Sequence, residues 1–328
     1  MQPLCYIPWT NIDIAPRGNI QPCCKYEVPN SEVMNITTNT IQDYVQSENL
    51  QKIKQQMLDN QWPEGCIRCK TEEESGIKSK RLLDYERWQK AYDNYTEDQG
   101  FITASIAFGN TCNLKCITCN SGPSSRWRKE YRDLYGIDKP PVEVINNMTS
   151  EDIYRALPNA IHMDIPGGEP FLSEVDKQLE LLNRYVDSGQ SKHITLHYTT
   201  NTQVYPDSKW WSLWENFKEI DIQLSIDGVG NRYEYIRYPA KNTVLLENVD
   251  RYLEQQNIHN IRLSVSHTVS AYNIYYLDEF FTWCSDVGLP KPWCGRAHNP
   301  SHMRPCVYTD PVRTSIAEYL DKSEHDDV

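Results

Sequence analysis

From Phe101 onward the chain repeats strand-like and helix-like stretches, and this repetition restricts it to few folds. Strand character falls near residues 102–108, 160–165, 193–199, 220–226 and 261–267, with a further candidate near 292–297. Apolar residues at helical spacing fall near 124–135, 150–156, 173–187, 209–217, 244–256 and 272–286. Such alternation implies a parallel sheet with covering helices. Five or six strands over ~200 residues are too few for a closed eight-stranded barrel, so the expected α/β fold is an open, partial barrel. No internal repeat and no low-complexity segment interrupts the pattern.

The loop after the first of these strands reads Asn110-Thr-Cys-Asn-Leu-Lys-Cys-Ile-Thr-Cys-Asn120. Cys112, Cys116 and Cys119 thus form a C-x3-C-x2-C run. Three closely spaced thiolates can hold three irons of a cubic four-iron cluster and leave the fourth iron open, whereas protein clusters of this type normally use four cysteines. On spacing alone, a zinc site or three unrelated thiols remain alternatives.

Further polar groups fall at the ends of the later strands, where parallel α/β folds bind ligands. Ile161-His-Met-Asp-Ile165 runs into Pro166-Gly167-Gly168-Glu169-Pro170. The glycines let backbone approach a ligand closely, and the Glu169 carboxylate suits an ammonium group. An ordinary strand-to-helix turn reads the same way. On Asp221–Gly228, Ser225 and Asp227 share a face. They suit a ribose, or else a strand end with a satisfied serine and a turn aspartate. Arg237 offers a guanidinium for bidentate carboxylate recognition, or is a surface arginine. Weaker candidates are Thr199, Thr200 and Asn201 after the third strand, and Ser264, Ser266, His267 and Asn273 on or just after the fifth.

Before Phe101 the pattern is different. Ile12 to Pro22 reads as a hairpin turning at Arg17-Gly18-Asn19. Ser47 is placed to cap a helix through about Asp59, with Leu50, Ile53, Met57 and Leu58 at helical spacing. A second helix is expected from Glu72 to about Tyr92, with Ile77, Leu82, Tyr85 and Trp88 inward. Asn94 to Gly100 reads as a linker. This segment carries Cys5, Cys23, Cys24 and the pair Cys66-Ile-Arg-Cys69. Taken alone, four of these cysteines suggest a zinc ribbon, because zinc favours C-x2-C pairs.

The combination resembles the radical S-adenosylmethionine (SAM) superfamily, in particular its members carrying an auxiliary-cluster domain called SPASM or, in its shorter version, twitch. The stretches that carry the resemblance are Pro8-Trp9, Gly18 to Cys24, Cys112 to Cys119, Ser124 to Trp127, Gly167 to Phe171, Ser225 to Gly228 and Tyr235 to Pro239. The resemblance implies a partial (β/α)6 barrel over 99–310, an auxiliary iron–sulfur domain with a helical connector over 1–98, and a helix or tail over 311–328. It implies a SAM-binding [4Fe-4S] cluster on Cys112, Cys116 and Cys119, and SAM held by Gly167, Gly168, Glu169, Ser225, Asp227 and Arg237. It further implies a second, fully coordinated [4Fe-4S] cluster on Cys5, Cys23, Cys66 and Cys69, with Cys24 a neighbour that could exchange with Cys23. Two departures stand out. The auxiliary domain usually follows the barrel but here precedes it. Thr118 occupies a place commonly aromatic in the superfamily.

The implied reaction is reductive cleavage of SAM to a 5′-deoxyadenosyl radical that abstracts a substrate hydrogen. The implied substrate is a peptide or protein side chain, and the implied electron donor a flavodoxin or ferredoxin. A small-molecule or nucleotide substrate is the alternative within the superfamily, and a non-catalytic zinc-binding module the alternative outside it. The formal net charge of −12 disfavours a general nucleic-acid binder. No apolar run approaches the ~20 residues that span a bilayer, and the start of the chain lacks the pattern of a secretory signal, so a cytoplasmic protein is expected. Eleven cysteines there point to ligation rather than disulfides. Cys284 is expected in the core, while Cys294 and Cys306 carry no assignment.

Overall fold

The structure, a computed structural model, describes residues 4–29, 32–138, 148–256, 260–323 and 325. Residues 324 and 326–328 of the expected tail lie outside these. Nine strands form one sheet: β1 (Asn11–Ile14), β2 (Asn19–Gln21), β3 (Met34–Asn35), β4 (Thr103–Ile106), β5 (His162–Ile165), β6 (Thr195–Thr200), β7 (Glu219–Ser225), β8 (Ile261–Val269) and β9 (Trp293–Arg296). Their order is β3-β2-β1-β4-β5-β6-β7-β8-β9. Neighbours from β1 and β4 through β9 pair in parallel, while β2 is antiparallel to both β1 and β3. Among the described residues β3 and β9 are the sheet's two edges, so the sheet is open.

All six strand expectations correspond to β4–β9. The hairpin also forms, with Gly18 at φ +84° in its turn, a left-handed conformation favouring glycine. What local pattern did not show is where the hairpin goes. β1 pairs with β4 in register, Ile12 opposite Ala104 and Ile14 opposite Ile106. The amino-terminal segment therefore extends the main sheet, and its Ile12, Ile14, Ile20 and Ile36 join the same core as Ile106 and Leu196.

Residues on the strands alternate strictly between two faces. One face carries Ile12, Ala104, Met163, Leu196, Ile222 and Leu263, all nearly inaccessible. Leu181, Leu182 and Tyr185 of the helix Val175–Asp187, Trp214 of Ser208–Trp214, Val249 and Tyr252 of Asn242–Gln256, and Phe280 of Leu277–Asp286 belong to the same core. The other face carries Asp13, Ser105, Asp164, His197, Asp221, Gln223 and Ser225. Parallel sheets covered on both faces read as continuous apolar runs.

One helix expectation needs correction. The stretch 72–92 is broken into Ile67–Glu74 and Lys80–Tyr92. Gly76 between them sits at φ +78°, and Glu73 turns inward to accept from Ser79 Oγ and from Arg81 Nε at 2.7 Å. Ile77 is accordingly exposed rather than inward. The helix Gly230–Ile236, ahead of Arg237, was not legible as a separate element. The helix capped by Ser47 forms over Glu48–Leu58, and Asp310–Leu320 forms a helix near the carboxyl end. Cys284 is buried as expected, and Cys294 and Cys306 are exposed. Among the described residues no helix is long and apolar enough to cross a membrane.

Candidate functional site

The cysteine loop follows β4 and is tied down on two sides. Lys115 N donates to Tyr238 O at 2.7 Å and Ile117 N to Ile236 O at 2.9 Å, fixing it to the segment that carries Arg237. Trp127 Nε1 donates to Cys116 O at 3.2 Å and Ser124 Oγ to Leu114 O at 2.6 Å. On the other side Glu169 N donates to Thr111 O at 2.8 Å. A Cβ at Gly168 would lie 2.3 Å from Thr111 O and 2.7 Å from Asn110 C. Backbone is in the way there, so only glycine lets the two loops meet.

Their meeting forms a cavity of about 300 Å³, lined by Cys112, Cys116 and Cys119, Gly167 and Gly168, Thr199 to Asn201, Ser225 and Arg237. Five chain segments converge there from the carboxyl ends of β4–β7. Thr118 also lines it. Of the other candidates, Ser264 approaches Asp221 at 3.3 Å, His267 Nδ1 lies 2.9 Å from Ile226 O, and Asn273 Nδ2 holds the Asp227 and Thr268 carbonyls. None of these three lines the cavity.

Glu169 and Asp227 are fully buried just behind the lining. Glu169 accepts from Thr200 Oγ1 at 2.9 Å and Asn201 N at 2.8 Å, and so positions the Thr200-Asn201 turn. Burial pushes its carboxyl up to about 7, against these hydrogen bonds. Asp227 accepts from Thr268 N at 2.7 Å, and its Oδ2 lies 2.9 Å from Arg237 Nε without hydrogen-bond alignment. Ser225 lines the cavity, whereas Asp227 sits behind the lining against Arg237.

Burial raises all three loop thiols, Cys116 to about 12 and Cys119 to about 11, while the Arg237 guanidinium works against the rise at both. Ligation would have to displace these protons. Asn201 Nδ2 approaches Cys112 Sγ at 3.8 Å. The donor set fits a cluster with an open position: three thiols, one cation and a hydrogen-bond donor face one cavity.

The second cysteine group lies at the opposite end of the strands, since Cys5 precedes β1. Cys5, Cys23 and Cys66 pack with Ile7, Met57 and Trp9. Burial, with the neighbouring sulfurs of Cys66 and Cys69, pushes Cys5 up to about 12. The Glu27 N–H donates to Gly65 O at 2.9 Å, bringing the turn after Cys23 against the Cys66-x2-Cys69 segment. Cys24 is exposed and faces a different cavity. The packing thus groups Cys23, and not Cys24, with Cys5 and Cys66.

Sequence reasoning missed Arg81. Its guanidinium is buried against Glu73, donates to Leu4 O at 2.9 Å, and works against the rise of Cys5 and Cys66. It stands to the amino-terminal group as Arg237 stands to the loop group. Nothing local marks it within a charged helix. Among the described residues no three His, Cys, Asp or Glu side chains gather closely enough for one metal ion. Thiolates on a four-iron cluster stand farther apart than those around a single zinc.

No curated protein matches the chain. Among solved structures, anSMEcpe with bound AdoMet aligns at 18% identity and TM-score 0.48, over 67% of this chain and 59% of its own. Streptococcus suis SuiB bound to S-adenosylmethionine aligns at 13% and 0.46, over 88% of this chain and 65% of its own. TYW1 with a lysine-pyruvate adduct aligns at 14% and 0.39, over 79% and 89%. The chain spans less than two thirds of the first two, and likenesses this loose carry no argument. The family match is local: residues 5–70, with all four grouped cysteines, match SPASM, an iron–sulfur cluster-binding domain.

Proposed function

We propose that this chain is a radical SAM enzyme with one SAM-binding [4Fe-4S] cluster and one auxiliary [4Fe-4S] cluster, acting on a peptide or protein side chain. The observation that carries the proposal is the cavity at the carboxyl ends of β4–β7, where three thiols face Arg237 and the Gly167-Gly168 turn. The SPASM match over 5–70 supports the auxiliary site, and the zinc-module reading has no support in it. The peptide substrate rests on the sequence resemblance alone. A flavodoxin or ferredoxin as donor and a cytoplasmic location belong to the same reading.

Cys112, Cys116 and Cys119 would hold the first cluster, and Cys5, Cys23, Cys66 and Cys69 the second. The chemistry supplied at such a site is one-electron cleavage of the SAM sulfonium, followed by hydrogen abstraction from substrate. The chain's own residues bind and orient. Arg237, anchored through Nε by Asp227, presents its remaining N–H groups to a carboxylate. Gly167 and Gly168 let backbone approach the ligand's amino group, with the Glu169 charge directly behind. Ser225 and Thr199 offer hydroxyls for a ribose. The two buried arginines offset the negative charge that each thiolate set carries.

The test is metal content with variants. Anaerobically reconstituted protein should hold about eight irons per chain if both clusters are of the four-iron type. Replacing Cys112, Cys116 and Cys119 together by alanine should leave about half. A Cys66→Ala/Cys69→Ala variant that stays folded by circular dichroism should still cleave SAM when reduced, yet fail on substrate. Stoichiometric zinc with little iron refutes the proposal.

A further inference from the structure

The polar face of the sheet continues below the thiol-lined cavity. Thr199 lines that cavity, and its hydroxyl lies 3.5 Å from Nε2 of His197. His197 in turn lines a second chamber of about 160 Å³ at the amino-terminal ends of β1, β4 and β5. That is several times the ~30 Å³ share of one water. Its walls include Asp13, Ser105, His162 and Asp164 from the strands, and Lys80 and Trp88 from the helix Lys80–Tyr92, which closes it.

Two buried polar atoms of the chamber wall lack hydrogen-bond partners among the described residues. His162 is only 9% exposed, and its Nδ1 has no partner among the described residues. The buried Oδ1 of Asp164 likewise has none. Asp13, 4% exposed, accepts from Gln21 Nε2 at 2.8 Å. Ser105 lies between the two carboxylates and donates to Asp164 Oδ2 at 3.3 Å. A hydroxyl has one proton, so it can satisfy only one of them. The local cations are already engaged: Lys80 pairs with Asp84 at 2.8 Å, and Arg87 lies over the Trp88 ring at 4.8 Å. His197 is held by Asp221 at 3.0 Å. Lys80 and Arg87 line the chamber too, yet Asp164 Oδ1 and His162 Nδ1 remain without a hydrogen-bond partner among the described residues.

We propose that this chamber binds the cationic end of a substrate, an ammonium or guanidinium group, between Asp13, Asp164 and His162. The trp–imidazole wall of Trp88 and His162, with ring centroids 5.1 Å apart, would flank its apolar stem. Thr199 on the thiol-lined cavity and His197 on the chamber touch, so the two spaces are neighbours across the polar face of the sheet. Assigning the cation to a substrate rests on the proposed function; binding of the cation does not.

The test is calorimetric titration of the anaerobically reconstituted protein with three probes: the N-acetyl, N-methylamide derivatives of lysine, arginine and norleucine. At least one cationic probe should bind at millimolar concentrations and shift the ring protons of His162 and His197 in NMR spectra, and norleucine should do neither. Asp164→Asn should weaken that binding tenfold or more, since the lost partner is charged. If this variant does not fold, the histidine shifts in the wild-type protein decide. Binding of norleucine equal to that of the cations, no binding of either cation, or unchanged affinity in folded Asp164→Asn overturns the proposal. These readouts need neither SAM cleavage nor turnover, so failure of the radical SAM reading would leave them standing, and the reverse.

Discussion

Asp227 and Arg237 form an ion pair behind the thiol-lined cavity. Asp227 is fully buried and Arg237 is 8% exposed, so solvent screens the pair little. Asp227→Asn keeps the shape and can still accept from Thr268 N, but leaves the guanidinium without its counter-charge. Removing one partner of a buried pair costs about 3–5 kcal/mol. Unfolding entropy of about 2.1 cal/mol/K per residue gives about 0.7 kcal/mol/K for a chain of 328 residues. The expected fall in Tm is therefore about 4–7 °C. Adding Arg237→Gln should recover part of the loss, because the uncompensated charge is gone; a double-mutant cycle should give a coupling energy of about 1 kcal/mol or more. Anaerobic calorimetry on the four proteins reads this directly. SAM affinity should fall in both single variants, since Asp227 acts by holding Arg237 in place. The reasoning is refuted if Asp227→Asn melts with the wild type and the cycle shows no coupling.

Three further outcomes are expected. Cys23→Ser should lose the auxiliary iron while Cys24→Ser keeps it, read as iron per chain, because only Cys23 packs with Cys5 and Cys66; equal losses would mean the two exchange. Gly168→Ala should abolish SAM binding and lower Tm, since its Cβ would meet backbone at 2.3 Å; a variant with wild-type affinity would show that the loops do not need this approach. The His197–Asp221 pair sets a pH dependence: Asp221 is lowered to about 2 chiefly by His197 and Arg262 acting against burial, and His197 is raised by Asp221 despite its own burial. The Asp221 contribution is present above its unfolded value of 3.8 and lost as pH falls through about 2; the His197 contribution is present below 6.5 and lost as pH rises through its raised value. The stability gap between wild type and Asp221→Asn in urea should therefore be wider at mildly acidic pH than at alkaline pH, and a gap that widens with pH would contradict the assignment.

Much of this protein is legible in its sequence because the relevant signals are local. Alternating apolar residues marked β4–β9, the turn at Gly18 marked the hairpin, and Ser47 marked a helix start, each set by a few neighbouring residues. The spacing of Cys112, Cys116 and Cys119 and the Gly167-Gly168 pair likewise announced a site at strand ends. The break at Gly76 was harder, since the charged stretch around it keeps helical spacing on both sides and only the inward turn of Glu73 reveals the interruption.

Tertiary structure decided the rest, through contacts between residues far apart in the chain. The sheet pairing of β1 with β4 joins residues about ninety positions apart, and no local pattern specifies that partner. Cys23 and Cys24 are neighbours with the same chemistry, and only the packing of Cys5 and Cys66 tells them apart. Asp227 reads in the sequence as either a ligand-binding carboxylate or a turn aspartate, and the fold sets Arg237 against it. Arg81 meets Leu4 across 77 positions and becomes the cation of the amino-terminal cysteine group. Local propensity fixes which residues can share a strand or a helix face; which faces meet depends on burying apolar area and compensating buried charge across the whole chain, and that balance exists only once the chain has folded.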